Sequence, residues 1–153
     1  MNKGNFILMF IAIAIFFTAC DKKENGDEDE DTTTQETKVT FTYKVTATNL
    51  SPIFSAEISY KNENNQIVTL ENEVLPWEKT ITVTAPFDAS INGKYIVIAN
   101  AEIPDPVTVG KNIFIIQNGI NINSTQSHLT IEKDRLNEWI SRSGTFSLTH
   151  KFE

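Results

Sequence analysis

From Lys38 the chain alternates strictly, with Val39, Phe41, Tyr43, Val45 and Ala47 on one side and Thr40, Thr42, Lys44, Thr46 and Thr48 on the other. Period two over ten residues predicts a half-buried strand. Ala56, Ile58 and Tyr60 repeat the pattern, Asn62 to Asn65 supplies turn chemistry, and Gln66 to Glu71 predicts a short third strand. After Pro76-Trp77 the alternation returns over Thr80 to Thr84, with Ile81 and Val83 inward. Tyr95 to Ile103 and Asn112 to Gln117 are more continuously apolar, as strands covered on both faces are. Asn118-Gly119 between apolar runs is the strongest hairpin signal in the chain. Phe146, Leu148, His150 and Phe152 predict a closing strand. One helix is predicted before it: Thr130 is the expected cap, Leu136, Trp139 and Ile140 form an apolar face, Glu138 and Arg142 are spaced for an i,i+4 pair, and Gly144 is the expected stop. Six or seven strands with turn signals every eight to fifteen residues predict an all-β antiparallel sandwich with one short helix in the C-terminal half.

Composition supports the sheet reading only after the chain is divided. Between residues 38 and 153, Ile, Val and Thr total 36 against 12 for Ala and Leu, a preference for pleated sheet over helix. The net charge of −7 divides as +1 for residues 1–20, −6 for 21–37 and −2 for 38–153. The acidity thus belongs to a short spacer and the domain is nearly neutral. No basic stripe exists to neutralise phosphates, so a nucleic-acid partner is not expected.

Three segments are expected: 1–19 as a signal peptide, 20–37 as a lipidated cysteine with an acidic tether, and 38–153 as the sandwich domain. The N-terminus reads Met-Asn-Lys, then an apolar run from Phe6 to Phe17, then Thr18-Ala19-Cys20 and an abrupt switch to Asp21-Lys22-Lys23-Glu24. Twelve apolar residues are fewer than the roughly 20 a spanning helix needs. A positive start, a short apolar run and small residues before a cut describe a secretory signal peptide. Cys20, the sole cysteine, stands directly after that run, and the stretch resembles the lipobox of bacterial lipoproteins, with Phe17 where that family prefers Leu. The resemblance implies a diacylglyceryl group on the Cys20 sulfur and cleavage before that residue. Two or three acyl chains hold a protein on a bilayer where one does not.

Residues 21–37 hold no apolar side chain and eight acids. That composition predicts a disordered tether. Asp27, Asp29 and Asp31 alternate like the first ligands of an EF-hand loop, but Thr32 stands where the turn needs Gly and Lys38 where a bidentate Glu should close the site. Acidic residues soon after the cysteine resemble the surface-export signal of Bacteroidetes lipoproteins, and Asp31-Thr32-Thr33 is similar to the O-glycosylation site of those bacteria. These resemblances imply a protein lipid-anchored in the outer membrane, exposed at the cell surface and O-glycosylated at Thr32.

Within the domain, Tyr43-x-Val45-Thr46, Ile58-Ser59-Tyr60, the following polar turn, Val74-Leu75-Pro76-Trp77-x-Lys79-Thr80 and Val83 resemble the soluble domain of the mycobacterial MmpS proteins and of similar small Bacteroidetes lipoproteins. The resemblance covers roughly residues 39–122, and 124–144 have no counterpart in it. It implies a small immunoglobulin-like sandwich of about seven strands held at a membrane, in the mycobacterial case as accessory to a lipid exporter. An envelope protein or exporter is therefore the expected partner.

Chemistry-bearing patterns are sparse. His128 is expected in a polar linker and His150 in the last strand, and neither has a ligand companion at useful spacing, so no metal or cofactor is expected. No phosphate loop or nucleophile elbow occurs, and the domain's carboxylates are scattered. No catalytic residue is assigned. Trp77 is expected as a core plug between sheets. Pro104-Asp105-Pro106 is expected as a stiff, exposed loop. The expectation is a non-catalytic binding or accessory module, the alternative being a structural or protective surface antigen without a dedicated ligand.

Overall fold

A computed structural model describes residues 36–47 and 53–153. Eight strands form two four-stranded antiparallel sheets: β1 (Lys38–Ala47), β2 (Phe54–Lys61), β3 (Ile67–Val74), β4 (Trp77–Thr84), β5 (Phe87–Val97), β6 (Val107–Gln117), β7 (Ile120–Ile131) and β8 (Thr145–Phe152). Strand order is β4-β1-β6-β7 in the first sheet and β3-β2-β5-β8 in the second. The expected all-β sandwich is present, with eight strands where about seven were expected. A 3-10 turn, Lys133–Arg135, and the helix α1, Leu136–Ser143, join β7 to β8.

The alternation in the sequence is the packing of the sandwich. Val39, Phe41, Tyr43 and Val45 of β1, Ile81 and Val83 of β4, and Val107, Val109, Ile113 and Ile115 of β6 form one buried face. Phe54, Ala56, Ile58 and Tyr60 of β2, Phe87, Ala89, Ile91 and Tyr95 of β5, and Phe146 and Leu148 of β8 form the other. Fully burying one such large apolar side chain is worth about 1.5–3 kcal/mol, so these two faces supply the cohesion that no disulfide provides. The outward positions pair across strands: the hydroxyls of Thr42 and Thr80 lie 2.8 Å apart, those of Ser59 and Thr69 2.8 Å. Lys44 meets Glu78 at 3.5 Å and Lys94 meets Glu57 at 2.9 Å. These are exposed cross-strand pairs, each a small contribution that favours one register.

Two buried tyrosines brace the sheets in opposite directions. Tyr43 of β1 donates its hydroxyl to the Lys61 carbonyl of β2 at 2.9 Å, and Tyr95 of β5 donates to the Thr46 carbonyl of β1 at 2.7 Å. Burial pushes both phenols well above the ordinary tyrosine range.

Asn118-Gly119 makes the expected hairpin, with φ of 48° and 81°. Both central residues are left-handed, as the turn that matches strand twist requires. The Asn118 side-chain oxygen also accepts from the Thr40 backbone amide at 2.9 Å, while the Asn118 backbone amide donates to the Thr40 carbonyl at 3.0 Å, tying the turn to β1.

The segment after the hairpin differs from expectation. Thr130 caps no helix: it is paired with Thr108 inside β7, their hydroxyls 3.2 Å apart, and His128 lies in the same strand and not in a linker. The pairing with β6 continues through Ile131 opposite Val107, which delays the helical segment to Lys133. Gly144 does end α1, but at φ −73°. Its value there is the missing Cβ, which would stand 2.6 Å from the Ile140 carbonyl oxygen.

Candidate functional site

The chain enters the sandwich at Lys38, and because successive strands run in alternating directions the connections divide between two ends. Near the entrance lie tight turns: Asn62 to Gln66, Ala85-Pro86 and Asn118-Gly119. At the far end lie the two longest connections the structure describes, residues 98–106 and 132–144, together with Leu75-Pro76. The far end is therefore the face on which irregular backbone and the helix are displayed.

Side chains of the core hold that end in place. Trp139 of α1 packs on Phe54 at 6.0 Å and Tyr95 at 6.3 Å between ring centroids, and Leu136 beside it is buried. Lys111 projects from the inward face of β6 between Val109 and Ile113, and its ammonium donates to the carbonyls of Ser143 at 3.1 Å and Thr145 at 3.0 Å. A cation on the last carbonyls of a helix is favoured by hydrogen bonding and by the helix dipole. The Tyr95 amide donates to the Gly144 carbonyl at 3.0 Å, fixing the exit of the helix onto β5.

Two clefts flank the helical segment. One, of 410 Å³, lies between the Pro104-Asp105-Pro106 loop and the start of the segment, with Val97, Ile103 and Leu136 as apolar lining and Asp105, Lys133, Asp134 and Asn137 as polar lining. The expected stiff loop is partly committed to structure here, since the Asp105 carboxylate accepts from the Lys133 amide at 3.1 Å and so holds the first turn. The other, of 180 Å³, lies between α1 and the end of β7 and includes Leu129, Ile131, Trp139, Arg135, Glu138 and Arg142. Glu138 bridges both arginines, at 3.5 Å to Arg135 and 3.1 Å to Arg142. The i,i+4 pair expected from sequence is present, and the second arginine leaves one positive charge in excess on this rim.

The remaining expected residues are dispersed. Trp77 is partly buried and packs at a tilt against Tyr60, 5.5 Å between ring centroids, so it lies against the core edge more than it plugs the centre. His150 faces inward beside Phe41 at 6.2 Å, and His128 is exposed on β7. Among the described residues no group of three or more His, Cys, Asp or Glu side chains converges, and no helix is long and apolar enough to cross a membrane. Cys20, Thr32 and the alternating Asp27, Asp29 and Asp31 lie outside the described residues. The β7–α1 cleft was not foreseen, although an uncharged stretch from Ile120 to Ile131 followed at once by charged residues was its available signal. No protein-family model matches the chain, and no curated protein is detectably similar to it.

Proposed function

We propose that this protein is a lipid-anchored cell-envelope lipoprotein whose β-sandwich is a non-catalytic binding or accessory module. Cys20 carries the lipid, the acidic run 21–37 is the tether, and the outer membrane, with exposure at the cell surface, is the proposed site. The observation that supports the module reading is the polarity of the domain: the tether joins at Lys38, and the long connections, the helix and both clefts gather at the opposite end. The point of attachment and the irregular face thus lie at opposite ends of the domain. The anchor reading rests on the apolar run ending at the sole cysteine. The resemblance to MmpS soluble domains supports an envelope protein or exporter as partner.

The test is Cys20→Ala. The variant is expected to take up no labelled fatty acid and to leave the membrane fraction, and protease added to whole cells is expected to cut the native protein within 21–37. A variant that still fractionates with membranes, or a tether protected in intact cells, refutes the anchor or the exposure respectively. Thr32→Ala is expected to lower the mass of the mature chain by one glycan.

A further inference from the structure

The four sheet edges are not alike. β3 carries Glu71 and Glu73 and a register shift against β2, β4 carries Glu78 and Lys79, and β8 carries Lys151. Charges and bulges of this kind discourage further strand pairing. β7 has a register shift of its own around Ile122, well before Gln126, but it is the longest described strand and its residues Ile120–Ile131 include no Lys, Arg, Asp, Glu or Pro. Its N-terminal part approaches β8, where Asn123 donates to the Thr149 carbonyl at 2.8 Å. Gln126–Thr130 is exposed throughout, the longest exposed run in any described strand, with Leu129 at 54% exposure although it shares the inward side with Ile131. Where this stretch ends, Leu129 and Ile131 share the 180 Å³ groove with Trp139 of α1, and Arg135 and Arg142 stand on its rim.

We propose that Gln126–Thr130 of β7 is a docking edge for an extended segment of a partner protein that alternates apolar and acidic side chains. The open strand offers main-chain hydrogen bonds, and the groove takes alternate side chains, which is how added strands gain affinity and specificity. Charge selects the occupant. Two arginines share one glutamate on the rim, so an incoming carboxylate meets an unmatched cation, whereas a second copy of β7 brings no acid at all. The inference deepens the reading of the domain as a binding module and rests on it.

The probes are two labelled peptides, one alternating Val and Glu and one alternating Val and Lys, titrated against the full chain by fluorescence anisotropy, with Trp139 emission followed in parallel in a Trp77→Phe background. The acidic peptide is expected to bind at least tenfold more tightly, about one 1.4 kcal/mol step, and Leu129→Glu and Arg142→Gln are each expected to weaken it about tenfold while leaving the melting midpoint nearly unchanged. Both side chains are more than half exposed, so neither change threatens the core. Absence of binding, equal binding of both peptides, or self-association abolished by Leu129→Glu overturns the proposal. Fatty-acid labelling at Cys20 is unaffected by any of these outcomes, so failure of the docking edge and failure of the anchor are separately visible.

Discussion

Alkaline pH is expected to unfold this domain through two named side chains. Tyr43 and Tyr95 are 0% and 1% exposed, and each phenol spans the sandwich to a carbonyl on the facing sheet. Burial holds both above their ordinary range. In the unfolded chain they ionise near pH 10, so above that pH the folded state binds more protons than the unfolded one and stability falls as pH rises. Below about pH 10 the contribution is fully present. Above it, each phenol removes about 1.4 kcal/mol per pH unit and the pair about 2.7, so roughly 5 kcal/mol is gone by pH 12, comparable to the whole stability of a small domain. Denaturant melts by tryptophan fluorescence between pH 7 and 12, with tyrosinate absorbance recorded on the same samples, measure the slope and identify its source. Two of the three tyrosines are expected to ionise only together with unfolding. Tyr43→Phe and Tyr95→Phe are each expected to halve the slope and to cost about 1–3 kcal/mol at neutral pH, since the Lys61 or Thr46 carbonyl loses its donor. Tyrosinate signal for both phenols developing smoothly near pH 10 in a still-folded chain refutes the reasoning, as does an unchanged slope in the double variant.

Two further perturbations probe the far end and the sheet centre. Lys111→Met keeps the aliphatic stem and removes the donor to Ser143 and Thr145; a loss of about 1–3 kcal/mol is expected, with faster amide exchange confined to α1 and the start of β8. Gly93→Ala places a methyl group against the Glu57 carbonyl oxygen and 2.8 Å from the Phe146 ring; because the first neighbour is backbone, a loss of about 2 kcal/mol or more is expected in thermal melts.

Legibility of the fold followed the range of the interactions. The faces of β1, β2 and β4 were readable because each strand announces its own period, and the Asn118-Gly119 turn because its backbone needs those two residues. Glu138–Arg142 was readable for the same local reason. Thr130 reads locally as a cap, since a hydroxyl stands before an apolar-periodic run, and only its pairing with β6 makes it a strand residue. β6 itself begins at Val107, five residues before the apolar run that marked it, since Thr108, Gly110 and Lys111 interrupt the pattern. Lys111 is the instructive case. A lysine at an inward strand position argues against the strand locally, and only the carbonyls of the α1 exit, 32 and 34 residues away, make it acceptable. Of the candidate site, the stiffness of Pro104-Asp105-Pro106 was legible and its role in holding the Lys133 turn was not.

The strongest reason to look for function at β7 and α1 is energetic. Ordering a residue's backbone costs about 1–2 kcal/mol, and a strand normally offsets that by burying alternate side chains. β7 orders twelve residues without one fully buried side chain, and leaves Leu129 and Ile120 more than half exposed. Its cohesion comes from the ladder with β6 and from Ile122 and Ile131 at the margin of the core. The strand passes into the helix through one 3-10 turn, and α1 is fastened firmly by Trp139, Leu136 and Lys111. A well-anchored helix beside a poorly buried, uncharged strand keeps a groove open that a symmetric hairpin closing against β8 would fill. That geometry adds little to stability, and it is what an added strand requires.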